Sequence, residues 1–141
     1  MPQSRAYAEI TLNTPAATVW RLLGDFDALP QWLPAITASQ LSDAGALRTL
    51  HTADGEVIVE RLLSHSDAER TYRYALLQGP LPVRDYEATL QVGEAADGGC
   101  VVRWWSDFTA DGASAEHAIE LLETLYRAGL GNLTAHPLLT A

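Results

Sequence analysis

The stretch VVRWWSDFTADGASAEHAIELLETLYRAGLGNLTA, residues 101–135, decides the fold. Its first part alternates: Val102, Trp104, Ser106 and Phe108 fall on one side of an extended chain, with Arg103 and Asp107 on the other. After Gly112 the period lengthens. Ala118, Leu122, Leu125, Gly129 and Leu133 recur at spacings of three and four, with Ile119, Tyr126 and Leu130 beside them. That pattern predicts one long amphipathic helix over 113–135. Asp111 or Ser114 can cap it, and Glu116, Glu120 and Glu123 suit the positive end of its dipole. Gly129 and Gly131 each cost a helix about 1 kcal/mol relative to Ala, so close approach to the sheet, or a bend, would account for them.

Upstream of this stretch the chain reads as strands joined by tight turns. Candidate strands are 36–42, 47–52, 56–65, 71–78, 86–94 and 101–108, separated by Asp43-Ala-Gly, Ala53-Asp-Gly, Ser66-Asp-Ala-Glu, Gly79-Pro-Leu-Pro and Ala96-Asp-Gly-Gly. A first strand is predicted over 5–12. Asn13-Thr14-Pro15 then reads as a capped helix start with Pro at the first helical position. A short helix follows over 16–23, ended by Gly24, and an irregular helical segment over 26–33 carries Phe26, Leu29 and Trp32. Strand, two short helices, six strands, long helix is an α+β order. The simplest packing curls a seven-stranded antiparallel sheet around the terminal helix, leaving a pocket between them.

The chain has 141 residues, 9 basic against 18 acidic, and a net charge of −9. With 48% hydrophobic and 19% charged residues it is expected to fold as one domain. Every basic residue is Arg. The negative field argues against nucleic acid and anionic membranes. Cys100 alone makes no disulfide and no zinc motif. No segment approaches the ~18 apolar residues of a membrane span, and the first residues lack a signal-peptide core. A cytoplasmic protein is the expectation. His51, His65, His117 and His136 share no helix face or strand pair, so no metal is expected. GxGxxG, Walker and GxSxG patterns are absent, so no cofactor and no nucleotide is expected either.

The order of elements, together with its motifs, resembles the helix-grip (SRPBCC) superfamily, which includes START lipid-transfer domains, birch-pollen-allergen-like proteins and polyketide cyclases. It is most similar to the bacterial polyketide cyclase/dehydrase-type branch. The likeness is carried by Val19-Trp20 with Asp25-Phe26, Trp32-Leu-Pro34, Gly45-Ala-Leu-Arg48, Glu60-Arg-Leu62 and Tyr72-Arg-Tyr74. It continues through Gly79-Pro-Leu-Pro82 with Tyr86, residues 104–108, and Tyr126-Arg-Ala-Gly-Leu130 with Leu133. The resemblance implies a ligand cavity whose mouth is flanked by the Trp32 region and the Pro80-Leu81-Pro82 loop.

Alternation places Tyr72, Tyr74 and Leu76, then Tyr86, Ala88 and Leu90, then Trp104 and Phe108, on the inward face. These are either ordinary core or, with Tyr126 of the helix, the aromatic wall of a small-molecule site. Trp105 points outward. Ala53-Asp54-Gly55 fits a three-residue hairpin loop, so Thr52 opposes Glu56 and Arg48 lies across from Glu60. Glu60 then shares the apolar face of Ile58 and Leu62 and requires a partner, which Arg48 supplies. A slip of one residue would put Arg61 there instead. The pair is either an edge ion pair fixing the hairpin register, worth about 0–1 kcal/mol if exposed, or a polar anchor for an otherwise apolar ligand. Pairing with Arg is expected to lower the Glu60 pKa.

Three functions follow. The first is binding of a hydrophobic small molecule (aromatic, polyketide-like or lipid) at Trp32, Arg48, Glu60, Leu62, Tyr72, Tyr74, Tyr86, Trp104, Phe108 and Tyr126. The second is a metal-free cyclase or dehydratase in which Arg48 polarises a carbonyl and Glu60 or a Tyr moves a proton. The third is a protein-interaction module with a filled core, to which Trp105 points.

Overall fold

The alternating segments form a single curved sheet. The computed structural model describes residues 3–139. Its strands are β1 (Ser4–Leu12), β2 (Ile36–Ser42), β3 (Leu47–Thr52), β4 (Val57–Ser66), β5 (Thr71–Gln78), β6 (Val83–Glu94) and β7 (Cys100–Ala110). They are all antiparallel and lie in the order β1-β7-β6-β5-β4-β3-β2. Helix α1 (Ala16–Leu23) follows β1, and helix α2 (Ala115–Gly131) follows β7 and packs chiefly over β1. The α+β helix-grip architecture read from the sequence is therefore the one observed. No helix among the described residues is long and apolar enough to cross a membrane.

Inward residues meet in rows across the sheet. Tyr74, Ala88, Ser106 and Ala6 form one row, and Tyr72, Leu90, Trp104 and Ala8 the next. Small side chains at positions 6, 8 and 88 leave room for the large rings beside them. Val19, Trp20, Leu22 and Leu23 of α1 are buried on this face, as are Leu122, Tyr126 and Leu130 of α2.

Beyond shifts of one or two residues at strand and helix ends, four features differ from the sequence reading. The second short helix is a single 3-10 turn, Leu29–Gln31. Asp25 Oδ1 accepts the Asp27 N–H at 2.9 Å, which turns the chain before a helix can start, and Pro34 stops it after. The cap expected at Asn13-Thr14 does not form: Pro15 occupies the N-cap position, and the Thr14 hydroxyl donates to the Leu139 carbonyl at 3.0 Å. Strand β6 starts at Val83 rather than 86, because Asp85 (φ 53°) makes a bulge that breaks the alternation before Tyr86. Helix α2 ends at Gly131, where the Asn132 and Leu133 N–H groups bond three residues back, at 3.2 and 3.0 Å. At its other end Ser114 caps α2, accepting the His117 N–H at 3.1 Å.

Gly129 is where helix meets sheet. A Cβ there would lie 2.8 Å from Leu33, 3.2 Å from Trp32 and 3.3 Å from Trp104, whereas one at Gly131 would meet nothing within 4 Å. Equilibrium denaturation is therefore expected to separate the two. Gly129→Ala loses about 1 kcal/mol, overpacking outweighing the gain in helix propensity. Gly131→Ala gains up to about 1 kcal/mol. Equal effects at both positions would contradict the close approach.

Candidate functional site

One short loop, Ala53-Asp54-Gly55, sets the register that builds the site. Gly55 adopts φ +90°, as the last residue of the hairpin loop must, and the Thr52 N–H bonds the Glu56 carbonyl at 3.0 Å. Counting back along both strands, Arg48 is paired with Glu60. Their side chains turn inward. Arg48 Nε donates to Glu60 Oε1 at 2.8 Å, and Nη2 lies 2.8 Å from the same oxygen. The Arg48 side chain keeps 1% of its accessible surface and that of Glu60 keeps 9%.

Arg48 reaches beyond the sheet. Its Nη1 donates to the Phe26 carbonyl at 2.8 Å, and its guanidinium lies 4.0 Å from the centre of the Phe26 ring and 5.0 Å from that of Tyr74. Stacking of this kind adds about 0.5–2 kcal/mol at a desolvated cation. Burial works against the Arg48 charge, but Glu60, Tyr72 and Tyr74 outweigh it and hold the guanidinium protonated. For Glu60, burial pushes the carboxyl above its usual range, against the pull of Arg48. The lowering expected from the ion pair is thus overturned: loss of water is the larger effect.

The remaining expected site residues form a continuous aromatic layer. Trp104 stacks on Tyr126 with ring centres 4.3 Å apart, and Trp32 meets the other side of Trp104 at 5.3 Å. Trp104 Nε1 donates to the Tyr74 hydroxyl at 3.0 Å. Tyr86 and Tyr126 share a hydrogen bond between hydroxyls, and Tyr126 donates to Ser106 Oγ at 2.8 Å. Phe108 lies beside Tyr86, and Leu62 faces Tyr74 from the neighbouring strand, half-buried. All ten residues are thus on the inner side, and at Trp104 sheet and helix touch directly.

An opening lies further along the same layer. A cleft of about 430 Å³ sits between the tip of the β3–β4 hairpin, the Pro80-Leu81 loop and α2. Ile36, Ile58, Leu81 and Leu125 give it an apolar wall, and Asp54 and Glu56 stand at its rim. Ile58 is on the inward face of β4, two residues from Glu60. Trp32, expected at a mouth, is buried against Trp104 instead, and its near neighbours Ala35 and Ile36 line the cleft.

Sequence reasoning missed the Phe26 carbonyl, which carries no side-chain signal, and Leu125, which read simply as part of the apolar helix stripe. It also missed His65, whose Nε2 lies 2.7 Å from the Gly24 carbonyl and whose ring stacks on Tyr72. Trp105 is half-buried and stacks on Tyr7, its partner across β1 and β7, which accounts for an outward aromatic.

Burial raises the pKa of Tyr72, Tyr74, Tyr86 and Tyr126 above that of a free phenol. The unfolded chain therefore releases these protons first, near pH ~10, and stability falls as pH rises beyond that value. Of the five tyrosines, only the exposed Tyr7 is expected to ionise in the folded protein. In an absorbance titration the other four should ionise together with loss of the near-UV circular dichroism. Ionisation of more than one tyrosine before unfolding would contradict the sealed aromatic layer.

Residues 3–136 match the family described as polyketide cyclase / dehydrase and lipid transport. Among solved structures, XoxI from Bacillus cereus is 36% identical over 92% of both chains, with a TM-score of 0.89. An uncharacterized protein from Bacillus thuringiensis is 37% identical over 93% of this chain and 96% of its own, with a TM-score of 0.90. The ZhuI aromatase/cyclase from Streptomyces sp. R1128 covers 93% of this chain and 91% of its own, with a TM-score of 0.77. At 18% identity that likeness is one of fold alone. No curated protein sequence matches the chain. On the match across residues 3–136, the chain belongs to the polyketide cyclase/dehydrase and lipid transport family.

Proposed function

We propose that the protein binds a hydrophobic small molecule, of aromatic, polyketide-like or lipid character, in the cleft between the β3–β4 hairpin, the Pro80-Leu81 loop and α2. One observation carries the reading. The cleft is apolar, and Ile58 in its wall lies two residues from Glu60 on one face of β4. An apolar opening thus lies beside the buried charged pair. A volume of about 430 Å³ is enough for a small organic ligand, and each 100 Å² of apolar surface it covers contributes about 2.5 kcal/mol before binding costs. Arg48, Glu60 and Leu62 do not line the cleft; they lie beside it along β3 and β4, where a ligand that pushes past Ile58 would meet the charged pair. Tyr72, Tyr74, Tyr86, Trp104, Phe108, Tyr126 and Trp32 line none of the cleft and back it as packed core, which a ligand would reach only by displacing side chains.

A cyclase or dehydratase is the second reading, favoured by Glu60, a buried carboxyl whose pKa is raised by loss of water. Binding is preferred because Glu60 is already engaged by Arg48 and the tyrosine hydroxyls are held in their neutral form. An interaction module is not preferred, because Trp105, which pointed to it, already packs on Tyr7.

Native mass spectrometry of protein purified without lipid removal tests the reading. A small-molecule adduct is expected that organic extraction removes. Ile58→Trp, which fills the cleft, should lose it while keeping a cooperative unfolding transition. A bare polypeptide mass under gentle conditions, or an adduct equally retained by folded Ile58→Trp, would overturn the assignment.

A further inference from the structure

We infer that the cleft selects its ligand by charge, admitting uncharged and cationic molecules and rejecting anionic ones. The inference deepens the proposed function and rests on it. The two ionisable groups that line the cleft are the carboxylates Asp54 and Glu56, both exposed, and no Arg or His lines it. Among the described residues, neither carboxylate takes part in an ion pair. The Thr52 hydroxyl donates to Asp54 Oδ1, a local bond that leaves the charge in place.

The interior beside the cleft offers an anion nothing either. Arg48 is the only buried cation among the described residues, and its charge is matched by Glu60. Its Nε and Nη2 face Glu60 Oε1, and its Nη1 is committed to the Phe26 carbonyl. An entering carboxylate or phosphate would have to break that pair or remain uncompensated in apolar surroundings. It would also meet two like charges that line the cleft, where screening by salt over ~8 Å is incomplete, in a chain whose net charge is already −9. A phenol, ketone or quinone meets neither obstacle, and an ammonium group is attracted to the rim. Rejection is built from unfavourable charge rather than from extra contacts to the preferred ligand. Free fatty acids and acyl phosphates are the lipids and intermediates excluded; neutral polycyclic and phenolic molecules are those admitted.

Three probes with one apolar body separate the outcomes: 2-naphthol, 2-naphthoate and 2-naphthylmethylamine, titrated calorimetrically into the full chain at neutral pH and low salt. 2-Naphthol and the amine are expected to bind at least about tenfold more tightly than 2-naphthoate, a difference of about 1.4 kcal/mol. The ratio should narrow in the Asp54→Asn/Glu56→Gln variant, whose amides keep the hairpin's acceptors. Tighter or equal binding of 2-naphthoate would overturn the charge selection and leave the binding site standing. A ratio unchanged in the variant would overturn it as well, because the rim would not be its source. Failure of all three probes to bind would overturn the site itself, and this inference with it.

Discussion

Arg48 and Glu60 meet across the β3–β4 hairpin, inside the curved sheet, and water is removed from both. Taking two charges out of water costs several kcal/mol per ion, which a good contact returns only when every remaining donor is also satisfied. The surroundings meet that demand. Glu60 takes two nitrogens of the guanidinium, the Phe26 carbonyl takes the third, and the Phe26 ring lies against its face. The arrangement is also a fastening. Through Phe26 it ties the segment after α1 to the far strands, and that segment carries Leu29, Trp32 and Leu33 onto the sheet.

The aromatic layer follows from having one end of the interior closed in this way. Each phenol and indole of the layer that needs a partner has one within it: Trp104 with Tyr74, Tyr86 with Tyr126, Tyr126 with Ser106. No buried side-chain nitrogen or oxygen among the described residues is left without a hydrogen bond. An unpaired buried polar group would cost about 1–3 kcal/mol, so the layer resists opening where Trp104 stacks on Tyr126. Space remains where the layer thins, between the hairpin tip, the Pro80-Leu81 loop and Leu125. Its walls are apolar, and Ile58 among them stands two residues from the neutralised pair.

Much of this could be read from the chain. The Ala53-Asp54-Gly55 loop fixed a count, the count placed Arg48 opposite Glu60, and alternation turned both inward. Each step used only short-range rules, and the structure follows them. The change of period after Gly112 likewise announced strand and helix correctly. Less legible were features that depend on distant atoms. Phe26 serves Arg48 through its backbone carbonyl, which any residue possesses. Thr14 looked like a helix cap but finds the tail carbonyl of Leu139 nearer. Whether Tyr74, Trp104 and Tyr126 would enclose a hollow or touch depends on sheet curvature and on where Gly129 lets α2 approach, and local pattern does not encode either. The Glu60 pKa was misjudged for a related reason, since pairing is visible as a register but the depth of burial is not.

A double-mutant cycle on the charged pair tests the central claim most directly. Denaturant unfolding of Arg48→Met and of Glu60→Leu should each show a loss of about 3–5 kcal/mol, because either leaves one charge buried alone. The double variant, with both charges gone, should recover most of that loss, so that the single effects are far from additive. Single losses below about 1 kcal/mol that simply sum would mean the two groups face water, and the buried couple beside the cleft would not exist.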